Sequence, residues 1–270
     1  MTSSANATHL LIDAHVHLHD CFDLSQFLAA ARSNFHQQQR QQKLQQPAIG
    51  FLLLTEIQGV HAFADLARNR SQLNQQLKNW EILATQEDCS LRFVHSSGQV
   101  ILVMAGRQVV TQEKIELLTL VTDKVVPDGL SLQKSIESAI AADSIIVLPW
   151  GVGKWVGKRG QIVQDYLAQQ SNLFFVGDNG NRPGFWPLPS FTQQHRTLPG
   201  TDPLALAAEV NRPGSYGFAV EAPADWKQNT ERPGEALKQL LRSPTVKIEG
   251  YGRSQSVWRF IKNQSLLRMS

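Results

Sequence analysis

Cysteine and long apolar stretches are scarce in this sequence. Its 270 residues contain two cysteines, Cys21 and Cys89, and no Cys-x-x-Cys pair, so neither a disulfide framework nor a thiolate zinc site is expected. No stretch approaches the roughly 18 consecutive apolar residues that cross a membrane. Residues 1–8 are small and polar and lack the basic and apolar parts of a signal peptide. We therefore predict a cytoplasmic protein without a membrane partner.

A strong excess of one charge is also missing. Lysine and arginine number 26 and aspartate and glutamate 23, which gives a net charge of +3. This bias is too small to indicate a nucleic-acid partner. No Gly-x-Ser-x-Gly sequence supports the nucleophile elbow of a serine hydrolase. The glycine-rich loop at 151–160 matches neither the Walker A nor the Rossmann pattern.

Apolar strands and amphipathic helices alternate over most of the chain. The pattern predicts strands at 10–15, 49–55, 144–149, 173–176 and 216–220, and helices from 24 and at 61–84, 131–142, 161–169, 234–241 and 256–269. Alternation around Ser96-Ser97-Gly98 predicts a β-hairpin near 91–105, as an insertion or an edge feature. Alternating strands and helices indicate βα units and a parallel sheet. Without a visible linker, the chain is predicted to form a single domain over 1–270.

The first apolar strand ends in Asp13-Ala14-His15-Val16-His17. Because side chains alternate along a strand, Asp13, His15 and His17 are predicted to share one face. Two imidazoles on one face are able to hold a metal ion, and Asp13 would orient one ring from behind. The alternative is a strand edge that carries histidines without a function.

Further polar residues follow other apolar strands, namely Glu56, Lys154, Asp178 and Asp202. In an α/β barrel, the carboxyl-terminal rim of the strands is where active sites lie. Within the loop 151–160, glycines allow close backbone approach, and Lys154, Lys158 and Arg159 supply charge for an anion. The alternative is a solvated basic loop that Trp150 and Trp155 anchor in the core.

The segment after residue 177 offers a second anion-binding candidate. Arg182 has the fork that suits phosphate or carboxylate, and Asp178 is predicted to face the same pocket. The alternative is turn chemistry, since Asp-Asn-Gly-Asn-Arg-Pro forms tight turns without any ligand.

These segments resemble the PHP family, the polymerase and histidinol phosphatase barrel, which is related in shape to the amidohydrolases. Asp13-Ala14-His15-Val16-His17 resembles the opening Asp-x-His-x-His of metal ligands. Leu54-Thr55-Glu56-Ile57 is similar to Thr-Asp-His, Ala105-Gly106-Arg107-Gln108 to Pro-Gly-x-Glu, Leu148-Pro149-Trp150 to Pro-Ala-His, and Gly200-Thr201-Asp202-Pro203-Leu204 to Gly-Ser-Asp-Ala-His. Ile57, Trp150 and Leu204 replace histidines, and Gln108 replaces a glutamate. A multinuclear metal cluster is therefore not expected.

The resemblance implies a distorted TIM-like (β/α)7–8 barrel with one divalent ion, zinc or manganese. His15, His17 and Asp202 would bind the metal, and Asp202 and Glu56 are the candidate catalytic carboxylates. The cations Lys154, Lys158, Arg159 and Arg182, together with Asp178, would bind a small anionic substrate. The expected activity is that of a phosphoesterase-like, metal-dependent hydrolase. The alternative is a metal-free, catalytically lapsed barrel that binds an anionic ligand or a protein partner.

Overall fold

The computed structural model describes residues 8–44, 46–170, 173–223, 226 and 231–267. Its strands are β1 (Thr8–Val16), β2 (Ile49–Leu54), β3 (Trp80–Ala84), β4 (Ser90–His95), β5 (Val100–Met104), β6 (Gly106–Val110), β7 (Glu116–Leu120), β8 (Ile145–Trp150), β9 (Phe174–Asn179), β10 (Thr197–Gly200), β11 (Tyr216–Ala222) and β12 (Glu249–Gly252). Its helices are α1 (Leu24–Gln41), α2 (Ala62–Arg68), α3 (Arg70–Gln76), α4 (Leu132–Ala141), α5 (Lys158–Gln169), α6 (Pro233–Arg242) and α7 (Val257–Leu267). None of the helices in these ranges is long and apolar enough to span a bilayer.

The strands form two mixed sheets. The larger has seven strands in the order β12-β11-β1-β2-β5-β4-β3, and the smaller has five in the order β10-β9-β8-β7-β6. Within the larger sheet, β1, β2 and β5 are parallel. In the smaller sheet, β8, β9 and β10 are parallel. The remaining neighbours pair antiparallel.

The predicted (β/α)7–8 barrel is wrong, because the described strands form two sheets that do not close into a barrel. A barrel of that type needs a helix between successive parallel strands. Here β3, β4 and β5 follow one another as a meander, and β6 and β7 form a further hairpin. The hairpin near 91–105 is present as β4 and β5. It is not an insertion, since β5 pairs with β2 inside the larger sheet.

The two sheets pack against each other, and helices cover their outer faces. Residues from the inner faces of both sheets share one core, for example Ile12 and Phe51 with Val147 and Leu198. On the far side of the larger sheet, α1 packs its buried face against a second core. Helices α4 and α5 close a third core on the smaller sheet. Continuous apolar strands such as Ile49–Leu54 are thus buried on both faces, as their sequence predicts.

Local signals account for the helix boundaries. The Asp23 side chain accepts a hydrogen bond from the backbone of Gln26 at 2.8 Å and caps α1. The single long helix predicted at 61–84 is wrong, because the segment forms α2, α3 and then β3. The Asn74 amide bonds both backbone groups of Ile82, at 2.7 and 3.1 Å, and so fixes the reversal from α3 into β3.

Candidate metal centre

His15, His17 and Asp202 converge at the carboxyl ends of β1 and β10, and we call them the histidine–aspartate cluster. The Nε2 atoms of the two histidines lie 3.2 Å apart. Asp202 Oδ1 lies 3.5 Å from His15 Nε2 and 3.1 Å from His17 Nε2. Gln108, on β6, adds a fourth atom, with its Oε1 3.0 Å from His15 Nε2.

These spacings fit a shared cation. Metal bonds of about 2.0–2.2 Å to nitrogen and oxygen place neighbouring ligand atoms about 3.0–3.5 Å apart. The four distances given above, 3.0, 3.1, 3.2 and 3.5 Å, lie in that interval. The carboxylate and amide oxygens accept hydrogen bonds only, and a neutral imidazole has one acceptor nitrogen. A cation between them would bind the lone pairs of these oxygens and of the unprotonated imidazole nitrogens.

The surroundings hold His15 and Asp202 in their ligand forms. Burial lowers the pKa of His15 to about 3, so its ring is neutral at neutral pH. Burial opposes the ionisation of Asp202, but His15 and His17 hold the pKa of that carboxyl well below its usual range. Neutral imidazole and ionised carboxylate are the forms that bind a metal ion.

The sequence brings β1 and β10 together through close backbone contact. A Cβ at Gly200 would overlap the backbone nitrogen of His15, so only glycine allows β10 to approach this closely. Two residues further on, Asp202 donates its backbone N–H to the carbonyl of His15 at 2.7 Å. Asp202 has a φ of 46°, in the left-handed region that few residues other than glycine, asparagine and aspartate adopt. The turn directs its carboxylate at the two imidazoles.

Asp13 lies behind the cluster and is fully buried. Its Oδ1 accepts hydrogen bonds from the backbone of Thr201 at 2.8 Å and of His15 at 3.3 Å. Its Oδ2 accepts from the Thr201 hydroxyl at 2.6 Å and from the Gly214 backbone at 2.9 Å. Burial raises the pKa of Asp13 to about 6, against the effect of these four donors. Asp13 thus orients the backbone on both sides of the cluster rather than an imidazole ring.

No family model matches the chain, and no curated protein does. Among solved structures, the chain is similar to PsfC from Pseudomonas syringae PB-5123. That alignment has a TM-score of 0.51 and 13% sequence identity, and it covers 97% of this chain and 98% of that chain. Similarity at this identity is a similarity of fold alone.

Glu56, predicted as a catalytic carboxylate, caps a helix in the structure. Its Oε1 accepts the backbone N–H of Phe63 at 2.6 Å, in the first turn of α2. Its Oε2 lies 3.7 Å from Arg107 Nη1. Burial raises the pKa of Glu56, although the Phe63 N–H and Arg107 oppose that change. Both oxygens therefore have partners outside the histidine–aspartate cluster.

The three cations of the loop 151–160 differ in their surroundings. Lys154 forms a hydrogen-bonded ion pair with Glu116, and its charge acts on both His15 and Asp202. Arg159 donates to the carbonyls of Gly153 at 3.0 Å and Lys114 at 3.4 Å, which fixes the loop. Lys158 is exposed at the first residue of α5. Among these three loop cations, Lys154 is the one whose charge acts on the cluster.

Asp178 and Arg182 bind each other. Arg182 donates from Nε and Nη2 to the two oxygens of Asp178 at 2.6 and 2.8 Å. Tyr216 donates its hydroxyl to the same carboxylate at 2.6 Å. The guanidinium also lies 5.9 Å from the ring centre of Trp150. The guanidinium of Arg182 is therefore already paired with Asp178, and its contact with Trp150 connects the loop after β9 to β8.

Sequence reasoning missed the polar residues that support Asp202. Asn179, at the end of β9, donates its amide to Asp202 Oδ2, and Asn181 donates to the backbone carbonyl of Asp202. Gln108 was expected only as a lost ligand, yet it lies inside the site. The sequence signal was the alignment of Gln108 with a ligand position, since an amide oxygen can still coordinate a metal ion. Asparagine is common in turns, so the sequence alone gave no reason to expect that Asn179 and Asn181 contact Asp202.

Proposed function

We propose that this protein is a metal-dependent hydrolase that acts on a small anionic molecule, with a phosphoester as the best-suited substrate. The observation that carries the proposal is the convergence of the ligand atoms of His15, His17 and Asp202 at metal-ligand spacing, with Gln108 Oε1 beside His15 Nε2. Two imidazoles and one carboxylate suit zinc or manganese. The PHP-like motif at 13–17 supports the same activity.

Different residues of the chain would bind such an ion, orient its ligands and bind the substrate. A divalent ion bound here would act as a Lewis acid and lower the pKa of its water toward about 7. His15, His17 and Asp202 would hold it, and Asn179 fixes the second oxygen of Asp202. Lys154 gives one ammonium donor to Glu116 and has two more for an oxygen of the substrate. The proposal thus needs no residue from outside the region of the cluster.

Metal analysis and a phosphatase assay test the proposal together. Protein purified without chelator is expected to hold about one zinc or manganese ion per chain, as expected for one such site. Phosphomonoesters should be hydrolysed by the parent and not by the double variant His15→Ala/His17→Ala. The matched control is His36→Ala/His61→Ala, which removes two exposed histidines. Metal content near zero that added zinc or manganese does not restore would refute the hydrolase, and equal rates in parent and variant would reveal a contaminant.

A second candidate function is the binding of an anion without turnover. It is favoured by Glu56, whose two oxygens have partners in the Phe63 N–H and in Arg107, so that this carboxylate caps a helix and pairs with a cation. Under this function, calorimetry would show that the metal-loaded protein binds inorganic phosphate, and an assay would show no hydrolysis of phosphomonoesters. The parent and the His36→Ala/His61→Ala control would then both bind phosphate, and the His15→Ala/His17→Ala variant would not.

A further inference from the structure

A groove of about 530 Å³ lies between the loop after β8 and the segment 186–193. Its volume is in the range of small-molecule sites, about 300–1,000 Å³. Its apolar walls are formed by Trp150, Val152, Trp155, Val156, Trp186 and Leu188. We call this feature the aromatic groove. Its remaining lining residues are glycines, prolines, a serine and a glutamine, so the groove carries no charged residue of its own.

The aromatic groove borders residues that support the histidine–aspartate cluster, and the link is Gly151. Gly151, in the groove wall, lies so close to Asn179 that a Cβ built on it would be 3.4 Å from the Asn179 amide nitrogen. That amide donates to Asp202. The same Cβ would lie 3.2 Å from the Cε of Lys154. Gly151 therefore connects the groove wall through Asn179 to the candidate ligand Asp202, and it lies beside Lys154.

Two of the tryptophan walls are held in place by ring contacts, and other wall residues are partly exposed. The ring of Trp155 stacks on Phe191 at a centroid distance of 5.9 Å. Arg182 lies over the ring of Trp150 and is itself fixed by Asp178. Trp186 remains 45% exposed and Val156 63% exposed. Uncovered tryptophan beside a polar site is typical of a surface that binds a planar ring.

We infer that the aromatic groove binds the ring of an aromatic phosphomonoester whose phosphate lies at the cluster. The inference rests on the proposed function and names its substrate class. Charge supports this occupant, because the uncharged walls suit the ring, while Lys154 and a bound divalent ion suit the dianionic phosphate. A phosphate without a ring would use only the charged end.

Two phosphonates that contain no hydrolysable ester separate the two ends. Calorimetry on zinc- or manganese-loaded protein should show phenylphosphonate binding about tenfold more tightly than methylphosphonate, since ring stacking is the difference between them. Trp186→Ala should abolish most of that ratio and leave methylphosphonate binding unchanged, and Trp186→Phe should restore it. Phe185→Ala is the matched control, because Phe185 is adjacent and 71% exposed but does not line the groove.

The outcomes distinguish this inference from the proposed function. Equal affinities for both phosphonates, or a Trp186→Ala loss that is the same for both, would overturn the aromatic groove even if phosphomonoesters are hydrolysed. Tight, Trp186-dependent binding of phenylphosphonate without hydrolysis of phenyl phosphate would overturn the hydrolase and support the groove as a binding site. Absence of binding by either phosphonate would overturn the inference.

Discussion

Asp13 links the first motif of the sequence to the strand that carries Asp202. Its carboxylate receives four hydrogen bonds, three from backbone N–H groups and one from a hydroxyl. The sequence predicted a role in orienting an imidazole, because Asp13 precedes His15 by two positions. The observed partner Thr201 is 188 residues away, and neither composition nor periodicity reports such a contact. The residue types at the site were therefore predictable, whereas the hydrogen bonds from Thr201, His15 and Gly214 to Asp13 were not.

We expect Asp13→Asn to destabilise the protein by about 1–3 kcal/mol, the cost of leaving a buried backbone donor unsatisfied. Whichever end of the asparagine carries the NH2 group, that group faces a backbone N–H donor that Asp13 now accepts. Urea unfolding followed by tryptophan fluorescence measures the loss. Asp20→Asn, at an exposed position, is the control and should unfold like the parent. A urea midpoint for Asp13→Asn equal to that of Asp20→Asn would contradict a stabilising role of the hydrogen bonds to Asp13.

The two thiols should differ in reactivity. Cys21 is exposed, whereas Cys89 is half-buried, and its partial burial together with the nearby Glu87 raises the pKa of its thiol to about 12. Since the thiolate is the nucleophile, Cys89 is almost entirely protonated at pH 8. Iodoacetamide at that pH should add one carbamidomethyl group to the native protein and two in denaturant, as read by intact mass. Cys21→Ser should remove the native adduct, and an adduct on native Cys89 would show that its burial is wrong.

At the scale of elements, helix α2 depends on the residue that the sequence offered as a catalytic carboxylate. Glu56 accepts the N–H of Phe63 in the first turn of α2, where an acidic group also interacts favourably with the helix dipole. The strand end at Glu56 was predictable from the apolar run before it. The capping role was not, because the prediction merged α2, α3 and β3 into one helix.

Capping and catalysis by Glu56 predict different variants. As a cap, Glu56→Ala should cost about 1 kcal/mol of stability, and Glu56→Gln should lose less because its amide oxygen still accepts the Phe63 N–H. Both variants should keep the parental metal content and hydrolysis rate per folded molecule. Thermal unfolding and a phosphatase assay on the same samples measure the two properties. A rate loss of about 100-fold or more in both variants would indicate general acid–base catalysis instead.

At the scale of the whole molecule, the sequence predicts which strands are buried but not how the strands are arranged. Long apolar runs such as Ile49–Leu54 identified the doubly buried strands, and polar residues after them identified the edge where the cluster forms. The arrangement of strands was mispredicted, because alternation of strands with helices implied parallel neighbours throughout. The segment from 80 to 120 instead supplies β3 to β7 without an intervening helix, and these strands pair antiparallel in succession within each sheet. Hairpin pairing of that kind produces two open sheets.

This arrangement places the candidate ligands on both sheets. His15 lies in β1 of the larger sheet, and His17 comes directly after that strand. Gln108 lies on β6 of the smaller sheet, and Asp202 comes two residues after β10 of the same sheet. A bound ion would therefore join the two sheets at one edge, in addition to the hydrogen bond from the Asp202 backbone to His15. An ion that binds the folded state alone stabilises it by about 2.7 kcal/mol at 100 times its dissociation constant.

We expect zinc or manganese at that excess to raise the melting temperature of chelator-stripped protein by about 5–10 °C, given about 2–4 °C per kcal/mol for chains of this order of size. Differential scanning fluorimetry measures the shift. His15→Ala/His17→Ala should show no shift, while the exposed pair His36→Ala/His61→Ala should shift like the parent. Circular dichroism of the metal-free variants establishes that each is folded before the titration. A shift of equal size in His15→Ala/His17→Ala would place the stabilising ion elsewhere on the molecule, and no shift in the parent would mean that the histidine–aspartate cluster does not hold an ion.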